Sequence, residues 1–169
     1  VQAVIQNYLH EAKIGRKQSH RNLAMYPLLS SYAVELEYIT LDEALSEGLI
    51  EVMERDEAGS VPELKVVNKS PCLILILDGE ELVGAKQNRI VNTTILIQGK
   101  STTEIPVSCV EQGRWAYESR PFGSEERLMT AQLRAKKSEQ VYRSIRSASG
   151  FRSDQSAIWK EISSKAARM

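Results

Sequence analysis

Cys72-Leu73-Ile74-Leu75-Ile76-Leu77-Asp78-Gly79-Glu80-Glu81-Leu82-Val83-Gly84-Ala85-Lys86-Gln87-Asn88-Arg89 is the stretch on which the reading of this chain turns. Its first six residues form a continuous apolar run, which predicts a strand buried on both faces, and Asp78-Gly79 predicts the turn that ends it. Three carboxylates, an ammonium, a guanidinium and two carboxamides follow within residues 78–89. A second strongly apolar segment, residues 90–97, comes next. Binding groups concentrate on loops held by a rigid scaffold, so function is sought here first. The plain alternative is a polar hairpin whose charges only pair with one another.

Working outward, most of the flanking segments read as short strands. Residues 32–38 alternate, which places Tyr32, Val34, Leu36 and Tyr38 toward a core. Thr40-Leu41-Asp42-Glu43 is a capping box for a short helix that Gly48 ends. Strands are expected at 49–53, 64–68 and 105–110, with turns at 56–59 and 98–103. Near the start, residues 1–12 predict an amphipathic helix, 16–22 a solvated basic loop and 23–29 an edge strand containing Pro27. From Ser124 the period lengthens: Leu128, Ala131, Ala135, Ser138, Tyr142 and Ile145 predict a long helix. Glu125 and Glu126 should open it and Arg143 and Arg146 close it. Ser153 should cap a last helix carrying Ile158, Trp159 and Ile162.

These elements predict an α+β fold: a mainly antiparallel β-sheet core, sandwich or barrel-like, with an N-terminal helix and C-terminal helices. The expected division is a β-rich core domain over residues 1–119 and a helical C-terminal segment over 120–169. Formal net charge is zero, but residues 1–119 hold 11 Lys/Arg against 17 Asp/Glu, and residues 120–169 hold 11 against 5. Halves of opposite sign are expected to dock on one another, the basic face of residues 132–146 meeting acidic groups of the sheet domain or of a second subunit. The basic helix has Tyr142 and Phe151 nearby but no recognised motif, so nucleic acid is not expected as a partner. No apolar run approaches the roughly 20 residues of a membrane helix and no signal-peptide pattern opens the chain, which leads to the expectation of a cytoplasmic protein. The first residue is Val, which leaves open a missing native N-terminus. Cys72 and Cys109 sit in apolar runs and read as buried free thiols, and with His10 and His20 they show no zinc spacing.

Two chemistries suit the central stretch. For binding, Lys86 and Arg89 could hold a diphosphate, while Gln87, Asn88, Asn92 and Gln112 could bond a ribose or base and Trp115 could stack. For hydrolysis, Glu80, Glu81 and Glu111 could serve as acid, base or ligands of Mg2+. Alternation lets at most one of Glu80 and Glu81 face a given ligand. The later stretch Glu111-Gln112-Gly113-Arg114-Trp115 repeats the pattern of core strand followed by acid, carboxamide, glycine and arginine, so the two loops are expected to converge, with Arg114 joining Lys86 and Arg89 in an anion-recognising group. A phosphate-bearing small molecule and a second copy of the chain are the partners these features allow. The residues leave open whether the site catalyses or only binds, and a non-catalytic binding or assembly module is the alternative.

Residues 78–82 and 84–89, with 105–115, the segment 41–45, and Gln155 with Trp159, resemble the hallmark segments of the ARG and rhodanese-phosphatase-superfamily-associated protein domain. Association with ADP-ribosylglycohydrolases and with phosphatases of the rhodanese-like superfamily implies a ligand from NAD or ADP-ribose metabolism without assigning a reaction. Family members continue beyond the segment matching Trp159, which makes Met169 a candidate truncation point.

Overall fold

The computed structural model describes the chain apart from residues 1, 33, 34, 57–61, 112, 114, 117, 118, 120, 168 and 169. It divides into two compact units, Val1–Leu36 and Glu37–Met169.

The first unit holds helix α1 (Gln2–Glu11) and four short strands, β1 (Lys13–Ile14), β2 (Gln18–His20), β3 (Leu23–Met25) and β4 (Leu28–Leu29). β1 pairs with β4 and β2 with β3, all antiparallel. The basic loop read over 16–22 thus contains a strand, and the edge strand read over 23–29 is two strands separated by Pro27. Tyr8 and Tyr32 meet edge to face. Val4, Ile5, Leu9, Ile14, Leu23 and Leu28 are all exposed.

The second unit begins with β5 (Tyr38–Thr40) and α2 (Leu41–Ser46). Thr40 and Glu43 form the capping box, each side chain accepting from the other's backbone N–H. At the far end Gly48, at φ +67, donates to Leu45 O, and Leu49 donates to Ala44 O. That left-handed cap closes the helix and aims the chain into β6 (Ile50–Glu54). Ahead of β5 the structure departs from expectation: Tyr32, Leu36 and Tyr38 are exposed, and Val34 lies outside the described residues. Among the described residues of that alternating run, only Tyr38 enters a strand.

The remaining strands are β7 (Glu63–Asn68), β8 (Leu73–Ile76), β9 (Glu81–Gly84), β10 (Arg89–Val91), β11 (Ile95–Ile97), β12 (Thr102–Cys109) and β13 (Phe122–Gly123). Six of them form one antiparallel sheet in the order β13-β9-β10-β12-β7-β6. Its two end strands, β13 and β6, lie against each other, so the sheet is a nearly closed barrel. A three-stranded sheet, β11-β8-β5, carries the sole parallel pairing among the described strands, β5 with β8. The fold is therefore α+β with a mainly antiparallel, barrel-like core.

Alternation fixes what faces inward. Along β6 the inner positions are Ile50, Val52 and Glu54, along β7 Leu64 and Val66, and along β10 Arg89 and Val91. Inside, Ile50, Val52, Leu64, Val66, Val91 and Val107 form an apolar core. β8 proves less deeply buried than a continuous apolar run suggests. Ile74 and Ile76 are fully buried, but Leu73 and Leu75 are half-buried, Leu77 is exposed, and so is Cys72, whereas Cys109 is buried as expected.

Helices α3 (Ala131–Arg146) and α4 (Gln155–Ala166) cover the outer face of β10. Ile90 packs there with Met129, Leu133 and Ile158. α3 starts later than its apolar period suggests, because the residues before it pair with the hairpin instead. Glu81 donates to Arg127 O, Met129 donates to Gly79 O, and Leu128 bridges Glu80. Glu125 and Glu126 consequently stand outside the helix, while Arg143 and Arg146 do lie in its last turn. α4 is capped by Asp154, whose carboxylate accepts from Ala157 N, and not by Ser153, whose hydroxyl meets Ser108 Oγ.

Three helix side chains, Lys137, Ser138 and Gln155, fasten these helices to the barrel through polar contacts. Lys137, fully buried, donates to Asp78 and, at 2.8 Å, to Val91 O. Ser138 gives Asp78 a further bond. The Gln155 carboxamide takes the place of a neighbouring strand at the end of β12, accepting from Cys109 N and donating to Cys109 O. Basic α3 thus meets the acidic half at Asp78, whereas Lys136 pairs within the helical layer, with Glu161.

Candidate functional site

The hairpin β9–β10 divides the polar residues of the central stretch between two ends roughly 13 Å apart, the length of four extended residues. At the first end, residues 77–80 form a turn in which Glu80 N donates to Leu77 O and Leu77 N donates to the Glu80 carboxylate. Burial pushes the Glu80 carboxyl above the ordinary glutamate value, the Leu77 N–H opposing this and the nearby Asp42 charge adding to it. Asp78 is engaged by Lys137 and Ser138.

The second end gathers most of the predicted site. Gly84 and Ala85 both have positive φ, +118 and +44, so the chain reverses tightly there. Ala85 in the left-handed region is uncommon for a residue with a Cβ, and such strain persists where surrounding contacts fix it. Ser119 fixes it here by accepting from Ala85 N. Ala85, Lys86 and Gln87 are all buried, which is unusual for a hairpin turn. Asn88 ties the turn together, accepting from Gly84 N and donating to Glu81 Oε1, while its own N–H donates to the Glu111 carboxylate. Gln87 donates to Glu111 O. The two sequence motifs therefore converge through Glu111, as their shared pattern suggests.

Arg89 follows the turn and points into the barrel, its side chain 0% exposed. Nη1 donates to Gln87 Oε1 at 3.0 Å, and Nη2 reaches Glu54 Oε1 at 3.4 Å. Cys109, directly opposite Arg89 in the ladder, donates its thiol to the same Gln87 oxygen. Trp115 lies with its ring centroid 5.4 Å from Lys86 Nζ and 5.7 Å from the Arg89 guanidinium carbon, so one aromatic serves two cations. Trp115 itself is 47% exposed. Arg89 Nε and Glu54 Oε2 are buried with no hydrogen-bond partner among the described residues. Native cores leave few such atoms unpaired, and a buried ion pair recovers its desolvation cost only when its remaining donors and acceptors are also met.

Measured against the sequence reading, Lys86, Gln87, Asn88, Arg89, Glu81, Glu111 and Trp115 come together at this end of the hairpin. Glu80 sits in the opposite turn. Asn92 lies further along the chain with both ends of its carboxamide engaged, donating to Phe151 O and accepting from Ser108 Oγ. Gln112 and Arg114 lie outside the described residues. Glu54 was missed. Its signal was present in the alternation of Ile50-Glu51-Val52-Met53-Glu54, which puts a carboxylate on the same face as two core aliphatics. Among the described residues, no cluster of three His, Cys, Asp or Glu side chains could hold a metal ion. Among the described residues no helix is long and apolar enough to cross a membrane.

A family profile, the ARG and Rhodanese-Phosphatase-superfamily-associated Protein domain, matches residues 11–169. The chain belongs to that family. Both parts of the polar cluster, the turn at 84–89 and Glu111 with Trp115, fall within the matched residues, as do Gln155 and Trp159. Neither a curated protein nor a solved structure matches the chain.

Proposed function

We propose that the 84–89 turn and the 111–115 segment bind a small molecule through an anionic group, an ADP-ribose- or NAD-derived or related phosphorylated compound being the class to which the family resemblance points. The observation that supports this is the unpaired, buried edge of the Glu54–Arg89 pair beside a second cation and a half-exposed tryptophan. Lys86 and Arg89 supply the charge for a phosphate, Arg89 as a planar fork and Lys86 as a point charge. The carboxamides of Asn88 and Gln87 are engaged within the turn and hold the cations in position, and the exposed part of Trp115 gives a base something to pack on. The Arg89 side chain is fully covered, so a ligand reaches its Nε only after covering groups move, and in this reading the Trp115 ring against the guanidinium is one of them. Glu81 and Glu111, which both bond Asn88, would be the carboxylates to share Mg2+ with ligand phosphates, since that ion is commonly held by one or two carboxylates together with the substrate. Either carboxylate could instead move a proton, and the binding reading stands without a catalytic step.

A screen of melting temperature against ADP-ribose, NAD and simple phosphosugars, each with and without Mg2+, tests this reading. A ligand selective for the folded state raises the midpoint by mass action, by an amount corresponding to about 2.7 kcal/mol at a hundredfold excess over Kd. No rise with any of these compounds would count against it.

One observation favours the second reading, an assembly module: the large apolar side chains of the first unit, among them Val4, Leu9, Ile14 and Leu28, are exposed. A second copy of the chain or another protein would then cover them, and sedimentation velocity over a range of concentrations reads that directly.

A further inference from the structure

We infer that Glu54 is a built-in competitor at the anion site, occupying the Arg89 guanidinium when no ligand is bound and setting how many negative charges the site accepts. This rests on the binding reading above. Glu54 and Arg89 come from strands that are not neighbours, since β12 and β7 lie between β10 and β6, so their side chains meet across the barrel interior. Glu54 is the inner-face carboxylate at the end of a strand whose other inner residues are Ile50 and Val52. Its side chain is 4% exposed, its contact with Arg89 is a long 3.4 Å, and its second oxygen is unpaired.

A planar guanidinium and a carboxylate normally close into two parallel bonds. Here one bond is long and the other is unmade, with the Nε donor and the Oε2 acceptor left over on the same two side chains. Gln87 helps hold the guanidinium in that position from the Nη1 side. A ligand phosphate bonding Arg89 must share its donors with Glu54 or displace it. Two like charges on one guanidinium repel in a buried setting, so the weaker competitor leaves. An ionised Glu54 offsets the charge of Arg89. Glu54→Gln leaves the guanidinium with its full positive charge, keeps the shape of the side chain and keeps an acceptor for Nη2. The substitution therefore favours a polyanion over a monoanion, a selectivity that a purely structural partner of Arg89 would not produce.

The test is calorimetric titration of the full chain with pyrophosphate, inorganic phosphate and ADP-ribose, in the wild type, Glu54→Gln and Glu54→Asp. The expected result is about tenfold tighter pyrophosphate binding in Glu54→Gln, the size of one charged contact released from competition, with a smaller gain for inorganic phosphate. Glu54→Asp retains the charge one methylene further from Arg89 and is expected to fall between the two, which keeps the question open to experiment if the Gln variant folds poorly. Affinity that is unchanged or weaker in both variants, while the wild type binds, overturns the competitor role and leaves the binding reading standing. Absence of binding to the wild type and to both variants overturns both.

Discussion

Separating Asp78 from Lys137 by mutation should give two unequal losses. The Lys137 side chain is fully buried and the Asp78 side chain is 24% exposed, so the two charges do not depend on each other equally. Asp78→Ala strands a buried ammonium with Val91 O as its remaining partner. Breaking a buried pair in that way costs about 3–5 kcal/mol. Lys137→Met removes the buried charge instead. Asp78 then keeps the Ser138 hydroxyl and its share of water, and the loss is mainly the bond to Val91 O, about 1 kcal/mol. The double variant should lie close to Lys137→Met and well short of the two single losses added together. There is a pH signature as well. Burial holds the Lys137 amine below the usual lysine value of 10.5, with the Asp78 bond opposing the shift. Between that lowered value and 10.5 the unfolded chain binds more protons than the folded one, so wild-type stability should rise with pH across the window relative to Lys137→Met. Urea unfolding followed by circular dichroism, at neutral pH and then in an alkaline series, measures both effects. Equal single losses, or a double variant at their sum, would refute the argument that the lysine is the dependent partner.

Three further outcomes follow from particular contacts. Gln155→Ala removes both bonds to the Cys109 backbone and should cost about 1–3 kcal/mol, with faster hydrogen exchange at the Cys109 amide; an amide still fully protected would show that α4 is held without this side chain. Gly84→Ala would set a Cβ 2.4 Å from Ser119 Oγ at φ +118, so unfolding should be easier by at least about 1–3 kcal/mol; unchanged stability would mean that the backbone and its neighbours yield without strain. Glu80 has its folded value raised above 4.5, so the folded chain holds the extra proton just above that pH and stability falls as pH rises through the window; Glu80→Gln should flatten that slope, and an unchanged slope would assign it to another group.

The fold was legible where local chemistry and tertiary packing agree. Thr40, Glu43 and Gly48 determine α2 through bonds within nine residues, and nothing distant competes. Strands β6 and β7 alternate in sequence because only one of their faces meets the core. Legibility failed where a distant partner overrides the local pattern. Residues 124–130 carry a helical period, but the hairpin claims backbone groups of Arg127, Leu128 and Met129, and α3 begins at Ala131. Thr102 and Thr103 look like turn residues, yet pairing with Val67 and Val66 extends β12 through them. The candidate site shows the same division. Proximity of the 84–89 turn to Glu111 and Trp115 followed from two copies of one sequence pattern. Glu54 did not, because its partner Arg89 lies 35 positions away and only the closure of the barrel brings them together.

Calorimetric titration of ADP-ribose into the wild type and into Lys86→Met bears most directly on the central claim. Lys86 is chosen because Arg89→Ala would strand the buried Glu54 carboxylate and confound binding with unfolding. The account predicts saturable binding to the wild type, weakened about ten- to a hundredfold in a folded Lys86→Met by the loss of one charged contact, with a change in tryptophan emission as Trp115 shifts. Wild-type binding that Lys86→Met leaves at full strength, or no heat of binding to either protein, would contradict it.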